Sequence, residues 1–321
     1  MANTKEIKDR IRSVGDTMKI TKAMYMISSN KLRKARKKLA EGEPFFYALQ
    51  AMIARVLRHM PEDVKSRYLD NGEKREEEKV RAYLVITGDK GLAGAFNHNV
   101  LKLADECLAK SAGRFRLYLV GEVGRHYYTR KGVPFEEAFH YIVQNPTLSR
   151  SRAIRDTLME AYLTGEVDEI HVVYTVMKNS LTCETMVRKL LPLEPERLNP
   201  QAAGNLADIY HEEFLMTPSP EAILDNIVPE YVNGFLYGAL MESACSVQNS
   251  RMLAMDAANK NAAEMIRELN TRYNRERQAA ITQEITEVVS GAKALRRAKE
   301  GRWIEKRNDQ TGHGACGGRK L

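Results

Sequence analysis

The sequence predicts a mixed α/β protein: two long terminal helices flanking a central domain in which strands and helices alternate. Three observations predict it. The last proline is Pro229, and the 92 residues after it contain none. Their apolar positions recur at helical spacing, so a single helix over 221–299 would run roughly 120 Å at 1.5 Å per residue. Residues 1–43 also lack proline and show the same helical spacing. Between these ends the periodicity changes to short apolar runs separated by turns, the pattern of strands. A helix too long for its own domain needs a partner along its flank, which favours a mechanical or scaffolding role over an enzymatic one.

The first helix opens at Asn3, with Glu6 three residues on, a capping-box pattern. Ile7, Ile11, Val14 and Met18 follow in 4-3-4 spacing. Ile20, Met24 and Ile27 resume one step out of phase, a slip that unwinds or overwinds a supercoil locally. Leu32, Ala35 and Leu39 continue the seam, and Pro44 is expected to break or kink it before a second amphipathic stretch over 45–60. The N-terminal helical segment is therefore placed at 1–60, and the charge-dense stretch 61–79 is read as a linker.

Residues 80–87 (VRAYLVIT) form a first buried strand, followed by the turn GDKGLAG and a helix from about 97. Strands are expected at 115–120, 169–177 and 182–190, the last antiparallel to its neighbour, with a helix near 152–163. This alternation defines a Rossmann-like α/β domain, placed at 80–205. The last helix, assigned with its approach to 206–300, has Ser219 as N-cap, Pro220 at its first position and Glu221 in its first turn. Its seam is divided. Ala258, Ala262, Met265 and Leu269 keep 4-3-4 spacing, as do Ile281, Ile285, Val288, Ala292 and Leu295, and the polar stretch 270–278 (NTRYNRERQ) lies between. Polar side chains there suggest contact with a third body, against the plainer reading of an exposed helix face. Residues 301–321, rich in glycine and charge, are expected to be a flexible basic tail.

Composition narrows the function. Residues 1–40 carry a net +9 and residues 296–321 a net +5 of the chain's +8, leaving the middle at −6. Basic ends seek an anionic partner. For the face at 31–38 (KLRKARKK) three readings stand: a solvated helix surface, a protein contact, or nucleic acid, although no aromatic interleaving or known nucleic-acid module accompanies it. No run approaches a membrane span, and the N-terminus does not read as a signal peptide. Cys107, Cys183, Cys245 and Cys316 are widely spaced and read as reduced thiols. The histidines are dispersed, His313 and Cys316 offer too few ligands for a metal, and no nucleophile elbow is present. The turn comprising Gly88, Asp89, Lys90, Gly91 and Gly94 follows a strand, but matches neither phosphate-binding template. No catalytic, cofactor or metal site is expected.

Four motifs carry a resemblance. The run ITQEITEVVSGAKA at 281–294, YNRERQ at 273–278, IKDRIRSV at 7–14 and KITKAM at 19–24 are similar to those of the γ subunit family of F-type ATP synthases, as is, less strictly, the turn at 87–94. Ala93 stands where that family more often has cysteine, the inserted cysteine pair of chloroplast members is missing, and the tail runs on past Leu295. The resemblance implies a long antiparallel coiled coil of the terminal helices plus the Rossmann-like domain. It implies a non-catalytic central rotor shaft inside a ring of three α and three β subunits, touching the ε subunit and the membrane c-ring. No cofactor and no nucleic acid belong to that role, and membrane association is peripheral, at the cytoplasmic face. By resemblance, Arg277, Gln278, Thr282 and Glu284 meet the β catch loops, and Lys22 and Met24 lie beside the acidic β lever. The rival readings are a coiled-coil adaptor, a nucleotide-binding enzyme and a nucleic-acid binder.

Overall fold

The structure is a computed structural model, and it describes residues 2–60, 66–69, 75, 78–111, 114–194, 217 and 219–311. Most of the expected linker, the approach to the last helix at 206–216, and residues 312–321 with His313 and Cys316 lie outside the described residues. The chain divides into two compact units, Thr21–Ala258 and Met1–Ile20 with Asn259–Leu321.

Helix α1 spans Ala2–His59 without a break and contains Pro44. Two expectations are corrected here. Pro44 does not end the helix, because it sits on the exposed face, where water can satisfy the Ala40 carbonyl left without its N–H donor. The expected phase slip is also absent. The sheltered positions keep one 3-4 rhythm from Ile7, Ile11, Val14 and Met18 through Thr21, Tyr25 and Ser28 to Leu32, Ala35 and Leu39, then Gly42, Phe46, Leu49, Ile53 and Val56. Ile20 and Ile27 face outward, 59% and 55% exposed. Small polar side chains take the seam at 21 and 28, so hydrophobicity alone gave the wrong face. Asn3 lies inside the helix, one residue past its start.

In the larger unit a four-stranded sheet has the order β2-β1-β3-β4. Strands β1 (Arg81–Ile86), β2 (Phe115–Val120) and β3 (Glu169–Met177) are parallel, and β4 (Cys183–Leu191) is antiparallel to β3. The residues of β1 after Arg81 are all buried, as expected of a parallel strand covered on both faces. Helices α2 (Phe96–Lys110), α3 (Glu122–Lys131) and α4 (Leu148–Leu163) connect the strands. Thr147 caps α4, its side chain accepting from the Arg150 amide. Helix α3 was not anticipated, since EVGRHYYTRK is polar and short. Its signal was the flanking glycines: Gly132 ends it in the left-handed conformation, with its N–H bonded to the Thr129 and Tyr128 carbonyls.

Helix α5 spans Pro220–Thr311. Ser219 caps it as expected, accepting from the Ala222 amide at 3.3 Å. Residues 301–311 are helical, correcting the expected start of the tail: a lone Gly301 costs only about 1 kcal/mol against alanine, and no other breaker follows before Gly312.

The first turns of α5 belong to the α/β core. Leu224, Val228, Val232, Leu236, Leu240 and Val247 are buried in the same cluster as the sheet residues. Here α5 is apolar or small on nearly every side, the mark of an interior helix rather than one arm of a coiled coil. Ser246 Oγ donates to the Thr175 carbonyl at 3.1 Å, and Ser151 Oγ donates to Asn233 Oδ1 at 2.7 Å. Alongside, α1 runs antiparallel to α5: Phe46 stacks on Tyr231 with ring centroids 5.7 Å apart, while Gly42 lies one turn on, opposite Tyr237. A Cβ at Gly234 would stand 3.3 Å from Phe46, so the missing side chain sets the close approach of the two helices.

At the start of β3, Glu169 is 3% exposed and draws together four basic side chains. Its carboxylate lies 2.9 Å from Arg81 Nε, 3.0 Å from Lys189 Nζ, 3.5 Å from Lys79 Nζ and 2.9 Å from His171 Nε2. Burial alone would raise its pKa, but the bonds from His171, Lys189 and Arg81 outweigh burial and hold it well below the ordinary carboxylate range.

Candidate interaction surfaces and the motif turn

The 87–94 turn is occupied by its own chain. Thr87 is fully buried; its amide donates to the Val120 carbonyl at 2.9 Å, and its Oγ1 accepts from the Gly124 amide at 3.0 Å. The Gly88 amide donates to Asn97 Oδ1 at 2.8 Å, so the N–H that would face a phosphate is already taken. Both Asp89 oxygens are also engaged, accepting from the Val143 and Gln144 amides at 2.9 and 2.8 Å. Arg251 on α5 donates to the carbonyls of Lys90 and Gly91, both at 3.3 Å. Gly94 takes a positive φ of 56°, and so does Leu92 at 60° with its side chain exposed; Ala93 is buried. The motif residues therefore act as a knot joining the β1 end, the 143–146 loop and α5.

This gives a direct test. Asp89→Ala removes the acceptor from two backbone amides, and hydrogen bonds to a charged group contribute about 1.5–3 kcal/mol each. We expect a loss of at least about 2 kcal/mol in urea unfolding. An unchanged midpoint would mean that the carboxylate does not hold the loop.

Among the described residues, no group of three or more histidine, cysteine or acidic side chains could hold a metal. No described helix is long and apolar enough to cross a membrane. Cys245 is buried and its thiol is pushed up to about 12 by that burial, an inert thiol rather than a nucleophile.

The residues expected at an interface lie on helix surfaces. Arg277, Gln278, Thr282 and Glu284 are all exposed on α5, with Thr282 Oγ1 donating to the Gln278 carbonyl at 2.9 Å one turn back. On α1, Lys22 is exposed and Met24 half-buried. The sheltered face of α5 in its unit passes through Asn259, Ala262, Ile266, Leu269 and Tyr273, whereas Met265, which the expected seam included, is 41% exposed, one step off that face. Beyond Ala280 shelter ends. Every described side chain from Ile281 to Lys299 is exposed, including Ile281 at 47%, Ile285 at 59%, Val288 at 71% and Leu295 at 67%. Sequence reasoning anticipated this second apolar seam, and no described residue covers it.

Long exposed helix faces, an apolar seam that no described residue covers and a motif turn occupied by the chain's own side chains define an α/β protein suited to assembly with other chains. Comparison with known proteins agrees. A family model described as ATP synthase matches residues 3–295. The ATP synthase gamma chain of Ruminiclostridium cellulolyticum is 42% identical over 293 residues, covering 91% of this chain and 99% of that one. The solved central stalk and c-ring of Tetrahymena thermophila mitochondrial ATP synthase includes a chain 25% identical, with a TM-score of 0.53 and coverage of 74% of this chain and 99% of that one. A chain of the Euglena gracilis mitochondrial ATP synthase shares the fold, with a TM-score of 0.63 over 93% of this chain and 96% of that one at 15% identity. This chain belongs to the ATP synthase gamma-chain family.

Proposed function

We propose that this chain is the central rotor shaft of an ATP synthase, coupling ion flow through the membrane sector to nucleotide chemistry on a ring of α and β subunits. The observation that carries the reading is the uncovered end of α5. An apolar helical seam from Ile281 to Leu295 with every side chain exposed needs a surrounding protein surface. A ring of other subunits closing round the helix supplies one. The chain itself is not catalytic: its motif turn is spent on internal hydrogen bonds, and nucleotide chemistry falls to the β subunits.

In this reading Arg277, Gln278, Thr282 and Glu284 touch the β catch loops, while Lys22 and Met24 face the acidic β lever. Exposed polar side chains suit a contact that must be made and released in every cycle, since each is re-solvated at low cost when it leaves. The α/β domain meets the ε subunit and the c-ring, placing the assembly at the cytoplasmic face of the cell membrane. A static coiled-coil adaptor would also bind partners through its helices, but holding it still would change nothing.

That difference is the test. With Gln278→Cys in this chain and a facing cysteine in β, the assembled complex is oxidised and ATP hydrolysis is followed. Hydrolysis is expected to fall to background and return on adding a thiol reductant. Failure to assemble with α and β, or undiminished turnover in the cross-linked complex, would rule out the rotor.

A further inference from the structure

In the Thr21–Ala258 unit, α1, α5, the motif turn and the 143–146 loop line a solvent-open cavity of about 200 Å³. Lys31, Lys34, Lys38, Lys90 and Arg251 line it, with Asp89 the only acidic residue among the lining side chains. The three α1 lysines follow 3-4 spacing and so share one helix face. Asp89 is already committed to the Val143 and Gln144 amides. Among the described residues, none of the five cations has an ion-pair partner, although Lys37, one position from the lined face, pairs with Glu41 at 3.9 Å.

Arg251 is the most telling. It is half-buried, and its guanidinium is held by carbonyls and by Gln248 Oε1 at 3.3 Å rather than by a carboxylate. Burial is the main influence on it and lowers its pKa, only partly offset by the charge of Asp89, so no carboxylate in direct contact neutralises it. Its planar fork suits the oxygens of a phosphoryl group.

We propose that this cavity is a binding site for a compact phosphoryl anion of pyrophosphate size. Cations from two helices and a turn converge on one cleft, and convergence suits a small ligand carrying several charges. An extended acidic protein surface would instead be met by a stripe along one helix. The volume lies below the several hundred Å³ typical of sites for drug-sized ligands, which suits one or two phosphoryl groups better than a whole nucleotide. Binding would relieve the mutual repulsion of the lysines and pin α1, α5 and the motif turn together. The site stands independently of the rotor reading.

The test is calorimetric titration of the full chain with pyrophosphate, orthophosphate, ATP and a poly-glutamate peptide at fixed ionic strength. Saturable one-site binding of pyrophosphate, tighter than that of ATP, is expected. Orthophosphate as the tighter ligand would place a single phosphoryl group in the site and still support it. Lys34→Gln and Lys90→Gln should each weaken pyrophosphate binding by about tenfold, the effect of losing one charge-assisted hydrogen bond. Lys37→Gln, whose partner is Glu41, should leave it unchanged. Absence of saturable heat, an equal loss in Lys37→Gln, or binding of the peptide alone would overturn the proposal, the last in favour of an acidic protein surface.

Discussion

Glu169→Gln is expected to destabilise the fold by about 3–5 kcal/mol, the range measured when one partner of a buried ionic network is removed. Glutamine keeps the shape but removes the charge, leaving Lys79, Arg81 and Lys189 crowded together at the end of the sheet where β1 and β3 begin, with little access to water. Urea unfolding at neutral pH should show a lower midpoint with an unchanged slope. The pH dependence separates lost charge from lost packing. The Glu169 pKa is depressed in the folded state, so its contribution is fully present above the ordinary carboxylate value of 4.5 and is lost as pH falls through the folded value. Wild type should therefore lose stability on acidification more steeply than the variant, and the two curves should converge. Parallel curves would show that the carboxylate charge contributes nothing.

The second large effect is expected at Gly121. Its φ is 94°, and a Cβ there would lie 2.2 Å from the Thr87 carbonyl oxygen, a contact with backbone that cannot rotate away. Gly121→Ala combines backbone strain of about 1–2 kcal/mol with overpacking of about 1–3 kcal/mol. Gly124 sets a milder limit on the same residue, its would-be Cβ lying 2.9 Å from Thr87 Oγ1. Because Thr87 begins the motif turn, the damage should spread to the loop that Asp89 holds. Thermal unfolding should fall by several degrees or more, and protease sensitivity should rise at the 143–146 loop. A variant as stable and resistant as wild type would mean that the β2–α3 junction opens without cost. Neither substituted residue belongs to the unit that holds Gln278, so reduced rotation in either would reflect lost folding rather than loss of that side chain.

Much of the fold was legible because its signals are local. Ser219 and Pro220 announce the start of α5, and the continuous apolar run at 80–87 announces a strand buried on both faces. The motifs at the two ends pointed to the family without any knowledge of packing. Legibility failed where a residue's role depends on a distant one. Thr21 and Ser28 lie on the inner face of α1 while Ile20 and Ile27 lie outside, because register is set by the whole length of the helix, and its small polar residues tolerate shelter. The motif turn looked like a possible phosphate cradle by position, yet Asn97, nine residues on, fills the place a ligand would need.

The sequence by itself therefore determined the four strands, the start of α5, the charge at the two ends, and the family. These depend on backbone preferences and spacing within a few turns. Tertiary structure alone decided that the first turns of α5 complete the α/β core, that Glu169 gathers four partners, and that five cations surround one cavity. Those outcomes need residues from 31 to 251 in the chain to meet, and no local preference encodes such a meeting. It follows from burying apolar surface on all sides of α5 at once, with the polar groups paired where the chain has carried them.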